Sequence, residues 1–197
     1  MKYICPTKIT GTVMGNGLSS PSVTLRWMRK VVGENVYTEY YNKARRYVYI
    51  CTPYLIIDNE MMTALCLAAK NGVDVRIMTP GTPDKKLVFL LTQSYYRQLL
   101  ENGVKIYEYQ PGFLHAKTFV CDDEIAVVGT INLDYRSLYL HFEDGVWIYG
   151  NDVIWSMKED FVQTLEDCHT VPLEFCKNRK IPVRIMQNVL RAFAPML

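Results

Sequence analysis

An α/β layer domain, built on a mixed β-sheet flanked by helices on both faces, is the fold this sequence predicts, and three observations predict it. Between residues 47 and 109, short β-branched or aromatic runs alternate with longer helix-compatible segments, the pattern of strand–helix–strand layers. Asn71-Gly72 and Asn102-Gly103 follow two of those segments and stop them as helices. Asp122, Asp123 and Glu124 separate two short apolar runs. A hairpin there makes the sheet mixed, not wholly parallel.

The elements follow in order. The opening, through Gly11, Gly15, Gly17, Ser19, Ser20 and Pro21, is rich in turn formers and reads as an extended strand and loop. Residues 22–46 have helix-compatible spacing interrupted at Gly33. The compact run 47–51 is a strand, Pro53 and Asp58 mark its exit loop, and 60–70 reads as a helix. A strand over 73–78, a Pro/Gly loop over 80–83 and a helix over 85–101 come next. Strands are then expected over 104–109, 117–121, 125–128 and 145–149, followed by an amphipathic helix over 153–169 with His169 at its end. His169 there would interact with the helix dipole.

The tail over residues 182–193 is also amphipathic. Val183, Met186, Val189, Leu190 and Phe193 share one side, and Arg184, Gln187, Asn188 and Arg191 the other. Such a helix could lie on an anionic bilayer or pack on the domain.

Composition narrows the function classes. A chain of 197 residues suits one compact domain, and 49% hydrophobic residues supply a core that disordered chains lack. A net charge of +2 is too small to argue for nucleic acid, and no basic stripe is visible, so no nucleic-acid partner is expected. The six cysteines, at positions 5, 51, 66, 121, 168 and 176, form no Cys-x-x-Cys pair, and histidines are not clustered. That argues against a zinc site. Cys51, Cys66 and Cys121 lie in apolar runs and read as small buried thiols in a reducing compartment. No run reaches the roughly 18 apolar residues of a membrane span, and no signal peptide is visible.

The stretch from His115 to Asp122 carries the chemistry. On an expected strand, residues two apart point the same way, so the His115 imidazole stands beside the Lys117 ammonium. A nucleophile beside a fixed positive charge suits attack on a phosphorus ester. Gly129-Thr130-Ile131-Asn132, Arg136-Ser137 and Glu143 follow after one short hairpin. A neutral imidazole is a strong nucleophile near pH 7. Its attack would give a covalent phosphoryl-histidine, splitting one hard displacement into two easier ones. Lys117 and Asn132 can donate hydrogen bonds to the nonbridging oxygens, and Thr130 adds a hydroxyl two positions from Asn132. On this scheme no metal or other cofactor is needed.

His115, Lys117 and Asp122 (HxKxxxxD), followed by Gly129, Thr130, Asn132, Asp134, Arg136 and Ser137 (G[ST]xNxDxRS), resemble the motif of the phospholipase D superfamily. Thr52-Pro53-Tyr54 with Asp58, residues 72–76 (Gly-Val-Asp-Val-Arg) and residues 109–113 (Tyr-Gln-Pro-Gly-Phe) are similar to its bacterial cardiolipin synthase branch. The similarity runs from about residue 47 to the C-terminus, whose last nine residues resemble a natural synthase terminus. The resemblance implies a single phospholipase D-like domain over 1–197, the C-terminal catalytic half of a two-motif enzyme, cut downstream of N-terminal transmembrane helices. It implies that Glu143 holds the far nitrogen of His115, and that Arg136 and Ser137 belong to the phosphate-binding segment. Arg136 could equally serve an internal ion pair. Asp122 completes the motif, but a turn aspartate usually bonds local backbone, so a structural role is expected for it. His141 departs from the family, which commonly has Asn there; with no Lys two residues on, it is not a second motif.

The chemistry needs a second histidine to protonate the leaving oxygen, so a preceding half or a second copy of this chain must supply it. The implied activity is phosphatidyl transfer between phosphatidylglycerol molecules, giving cardiolipin and glycerol, at the cytoplasmic face of a bacterial membrane. Two other readings stay open: a homodimeric single-motif endonuclease, and a non-catalytic membrane-associating half.

Overall fold

The computed structural model describes residues 12–14, 17–24, 41–140 and 143–194, with backbone alone for the first two segments and for residue 140. The strands are β1 (Thr12–Met14), β2 (Gly17–Thr24), β3 (Tyr47–Cys51), β4 (Leu55–Ile56), β5 (Asp74–Pro80), β6 (Lys105–Tyr109), β7 (Thr118–Cys121), β8 (Ile125–Gly129), β9 (Leu133–Asp134), β10 (Glu143–Tyr149) and β11 (Cys168–Thr170). The helices are α1 (Asn59–Lys70), α2 (Lys86–Glu101), α3 (Val153–Thr164), α4 (Leu173–Lys177) and α5 (Ile181–Ala192). A π-helical turn, Arg136–Leu140, lies between β9 and β10.

Nine strands form one sheet in the order β1-β2-β10-β8-β7-β3-β5-β6-β11, while β4 and β9 pair separately. The ladders β3–β5 and β5–β6 are parallel, and the others in the large sheet are antiparallel. The sheet is therefore mixed, as the hairpin predicts.

All five residues of β3 are buried because both of its faces are covered. Val48 and Ile50 enter the larger core with α1 and α2. Tyr47, Tyr49 and Cys51 enter the smaller core with Ile154 and Phe161 of α3. Tyr49 stacks on Phe161 at 4.9 Å between ring centroids. The strand period of two thus feeds two cores from one run of side chains, with helices on both faces. Burial pushes the Cys51 and Cys121 thiols up to about 12, so both stay protonated near neutral pH.

The helix boundaries have local causes. Asp58 caps α1, its Oδ1 accepting from Met61 N at 2.8 Å. Both α1 and α2 end at an Asn-Gly pair whose glycine, Gly72 or Gly103, adopts positive φ.

Three expectations are corrected. Ser22, Val23 and Thr24 belong to β2, not to a helix, and pair with Gly145, Asp144 and Glu143 of β10. Without β2, β10 would expose a row of unpaired backbone groups, and β-branched Val23 and Thr24 suit a strand. The rest of the expected helix, residues 25–40, lies outside the described residues, as do 1–11 and 15–16. The helix from Val153 ends at Thr164, and Cys168, His169 and Thr170 form β11 along the edge of β6, with His169 opposite Glu108. The unpaired edge of β6 is a better partner for that backbone than another helical turn. His169 therefore sits on an edge strand and caps no helix. Finally, β7 begins at Thr118, so His115 and Lys117 lie in the segment leading into the strand.

At the far end of β7, Asp122 and Asp123 turn the hairpin in the left-handed region, φ 55° and 62°. The Asp122 carboxylate accepts from the backbone N–H groups of Arg45 (2.7 Å), Arg46 (2.9 Å) and Tyr47 (2.9 Å). Asp123 binds the Tyr47 hydroxyl, Lys158 and Arg46, each at 2.8 Å. Together they fasten the hairpin to the chain entering β3. Asp122→Ala is expected to lower unfolding free energy by about 3 kcal/mol, since it orphans donors held by a charged acceptor. Urea denaturation measures this, and Asp122→Asn should cost less.

Candidate active site

Three neighbouring strands, β7, β8 and β10, bring the motif residues to one end of the sheet. Lys117 precedes β7, and its carbonyl accepts from Gly129 N at 3.3 Å, so the β7–β8 pairing continues to the end of β8. In the next ladder Gly129 faces Gly145. A Cβ at Gly129 would lie 2.2 Å from Asp144 O and 2.7 Å from Gly145 Cα. Only glycine permits that approach, and it sets Thr130 against the start of β10. Thr130 N donates to Asp144 O at 2.8 Å, and Asp144 N donates to Thr130 Oγ1 at 3.0 Å.

A polar relay grows from this backbone frame. The Thr130 hydroxyl donates to Glu143 Oε2. Asn132 Nδ2 donates to Ser137 Oγ at 2.9 Å, and Ser137 Oγ donates to Glu143 Oε1 at 3.0 Å. Ser137 is 1% exposed, and its own N–H donates to the buried Asp134 Oδ1 at 2.8 Å. Thr52 pins the same segment, its Oγ1 accepting from Leu133 N at 3.2 Å. One carboxylate thus holds two hydroxyls, and through one of them the Asn132 amide.

His115 is exposed, and its ring lies 5.5 Å from the Phe113 ring, which in turn is 6.4 Å from Tyr54. The Lys117 ammonium donates to the His115 carbonyl oxygen at 2.7 Å. Partial burial pulls the Lys117 pKa down, while the Glu143 and Asp134 carboxylates oppose that shift; the net direction is downward. Lys117 therefore shares the electrostatic environment of Glu143 even though β10 is two strands away. A cleft of about 250 Å³ lies behind Asn132 and Ser137, with Tyr54, Lys85, Arg136 and Ala194 also on its wall. His115 is exposed and Lys117 half-buried.

The structure links Thr130, Asn132 and Glu143 through hydrogen bonds, places Lys117 within electrostatic reach of Glu143, and joins His115 to Lys117 through its carbonyl oxygen. It places Ser137 inside the domain, between Asn132 and Glu143, where its hydroxyl holds the amide. Glu143 accepts from the hydroxyls of Thr130 and Ser137, two partners that the resemblance does not name. Arg136 is exposed on the cleft wall. Asp122 lies five residues beyond Lys117 along the strand, about 17 Å at strand rise, and its carboxylate holds backbone. That is the structural role expected of a turn aspartate. His141 lies outside the described residues. Sequence reasoning missed the structural work of Thr52 and Asp134, although both stand inside the quoted motifs.

Comparison with known proteins gives the class. The family model described as "Cardiolipin synthase, PLD-like domain" matches residues 37–165. The chain therefore belongs to the phospholipase D superfamily, in its cardiolipin synthase-like domain family. A cardiolipin synthase of Clostridium perfringens is 44% identical over 164 residues, which is 83% of this chain and 34% of that protein. The chain spans about a third to two-fifths of the length of the curated relatives it matches. Among solved structures, phosphatidylserine synthase of Haemophilus influenzae superposes with a TM-score of 0.70 at 17% identity, covering 91% of this chain and 46% of that one. The phospholipase D family member Nuc of Salmonella typhimurium gives 0.64 at 17% identity, covering 77% of this chain and 98% of that one. Both likenesses concern the fold alone.

Gly129→Ala is expected to destabilise the domain by about 3 kcal/mol or more, because backbone must move to admit the methyl. A thermal melt of the variant checks this, and Gly112→Ala, whose Cβ meets nothing within 4 Å, serves as the control.

Proposed function

We propose that this chain is the C-terminal half of a two-motif phosphatidyltransferase of the cardiolipin synthase type. The observation that carries the reading is the relay Asn132–Ser137–Glu143–Thr130, within electrostatic reach of the half-buried Lys117, whose ammonium donates to the carbonyl of the exposed His115. It is a phosphate-binding surface with a nucleophile at its rim. Family membership supports the same chemistry.

In the proposed reaction, a His115 ring nitrogen attacks the phosphorus of phosphatidylglycerol. A P–N bond forms, the P–O bond to glycerol breaks, and the departing glycerol oxygen takes a proton from a second histidine. The hydroxyl of another phosphatidylglycerol then attacks phosphorus, losing its proton to that second histidine. The P–O bond to the new lipid forms, the P–N bond breaks, and cardiolipin leaves. Lys117 and Asn132 donate to the nonbridging oxygens as charge builds on them. Glu143 acts through Ser137 and Thr130, holding donors in place against the cost of reorganisation.

The exposure of His115 supports a site completed by another body, either the N-terminal half of the same protein or a second copy. The anionic phospholipid phosphatidylglycerol is the proposed substrate, at the cytoplasmic face of the cell membrane in the intact protein. No helix among the described residues is long and apolar enough to cross a membrane.

Light scattering and a phosphatidylglycerol turnover assay test this together. A dimer is expected to convert phosphatidylglycerol to cardiolipin, with His115→Ala lowering the rate by about a thousandfold or more. A monomer moves the same assay to the intact two-motif enzyme. Plasmid nicking lost with His115→Ala, without lipid turnover, would overturn the assignment in favour of a nuclease.

Lys117 adds a pH prediction. Its lowered pKa means that the ammonium charge is lost below the ordinary lysine value of 10.5. The rate should therefore fall on the alkaline side before that value is reached. Glu143→Gln removes a carboxylate that props the charge up, so the limb should move to still lower pH.

A further inference from the structure

Helix α5 turns its apolar stripe away from the domain. On the side facing α2, Gln187 is 7% exposed and its Nε2 donates to Leu90 O at 3.1 Å. Arg191 donates to Gln98 Oε1 at 3.2 Å and lies 4.5 Å above the Tyr95 ring. On the other side, Ile181, Ile185, Met186, Val189 and Phe193 are 71, 58, 48, 48 and 54% exposed. A surface helix ordinarily buries its apolar stripe against the core. Here only Val183 and Leu190 of that stripe turn inward, and five large apolar side chains face outward. A contiguous exposed apolar patch with a polar rim marks an interaction surface.

The rim is basic. Residues 175–194 hold Lys177, Arg179, Lys180, Arg184 and Arg191 and no Asp or Glu. The whole chain has 22 Lys and Arg against 20 Asp and Glu, so the remainder holds 17 against 20 and is net negative. Beneath the helix, a cleft of about 360 Å³ between α2 and α5 is lined by Arg97, Arg179, Arg184 and Arg191, with Glu101 as its one carboxylate. Only Arg97 is paired with that carboxylate, at 2.9 Å. Arg179 and Arg191 bind neutral amides, Gln93 and Gln98. At its C-terminal end α5 runs into Ala194, which lines the cleft behind Asn132 and Ser137.

We propose that α5 lies in the plane of an anionic bilayer surface. Ile181, Ile185, Met186, Val189 and Phe193 sink to the boundary between headgroups and acyl chains, while the exposed Lys177, Lys180 and Arg184 bind lipid phosphate. The charge decides the occupant. Two copies paired through this face would bring two basic rims together, whereas an anionic lipid surface neutralises them. Because α5 ends at the cleft behind the relay, docking brings the site to the depth of a lipid headgroup. Only that last step rests on the phosphatidyl-transfer reading; docking itself does not involve His115.

The test is cosedimentation of the 197-residue chain with vesicles of phosphatidylglycerol and phosphatidylcholine in equal parts, and with phosphatidylcholine alone. Binding to the anionic vesicles is expected to be about tenfold or more tighter and to weaken with salt. The double variant Ile185→Glu, Val189→Glu changes only exposed positions, so its melting should match the parent while its vesicle binding falls about tenfold or more. Arg184→Glu should lose most of the preference for anionic over neutral vesicles, with melting again unchanged. His115→Ala should bind as the parent does, which separates failure of docking from failure of the chemistry. Equal binding by parent and double variant, equal binding to both vesicle types, or no binding at all overturns the proposal. So does a dimer that becomes a monomer in the double variant, since that would assign the face to a second copy.

Discussion

The site depends on the close approach of β8 and β10 at Gly129 and Gly145. That contact is backbone against backbone, and a methyl group at Gly129 would overlap Asp144 O. From it follow the position of Thr130 against Asp144 and the reach of the Thr130 hydroxyl to Glu143. Ser137 then enters from the π-helical turn and ties Asn132 to the same carboxylate. The Thr130 hydroxyl and the Asn132 amide are therefore fixed by a ladder spacing instead of by flexible side chains alone.

The two ends of β7 have been given different work. At one end Asp122 and Asp123 bind the chain entering β3, using carboxylates against backbone amides, a tyrosine and two cations. At the other stand the exposed His115 and the half-buried Lys117. A motif that reads as continuous in sequence is thus split, across one short strand, into an anchor and the pair His115 and Lys117. The anchor holds the strand in register, and the register holds Lys117 beside Gly129.

Most of the layer order was legible because its signals are local. The run 47–51 is a strand with alternate residues in two cores, and the helices closing at Asn71-Gly72 and Asn102-Gly103 end where a positive-φ glycine was written in. The hairpin that brings Lys117 opposite Gly129 could also be read off, since its turn residues Asp122 and Asp123 are local. Two helices were overextended for one shared reason. Residues 22–24 and 168–170 have spacing that suits either state, and each was claimed by an unpaired strand edge distant in sequence. Local propensity is a weak prior against a row of free backbone groups.

By itself, the sequence determined the α/β layering, the hairpin and the family to which the chain belongs, because each rests on neighbours within a few residues. Tertiary structure alone decided what Glu143 holds, that Ser137 is an internal link, that Asp122 is an anchor, and that α5 shows its apolar side to the outside. These depend on which surfaces meet. A carboxylate takes whichever donors the folded backbone brings within about 3 Å, and an amphipathic helix buries whichever side its neighbour can satisfy, here Gln187 against the Leu90 carbonyl.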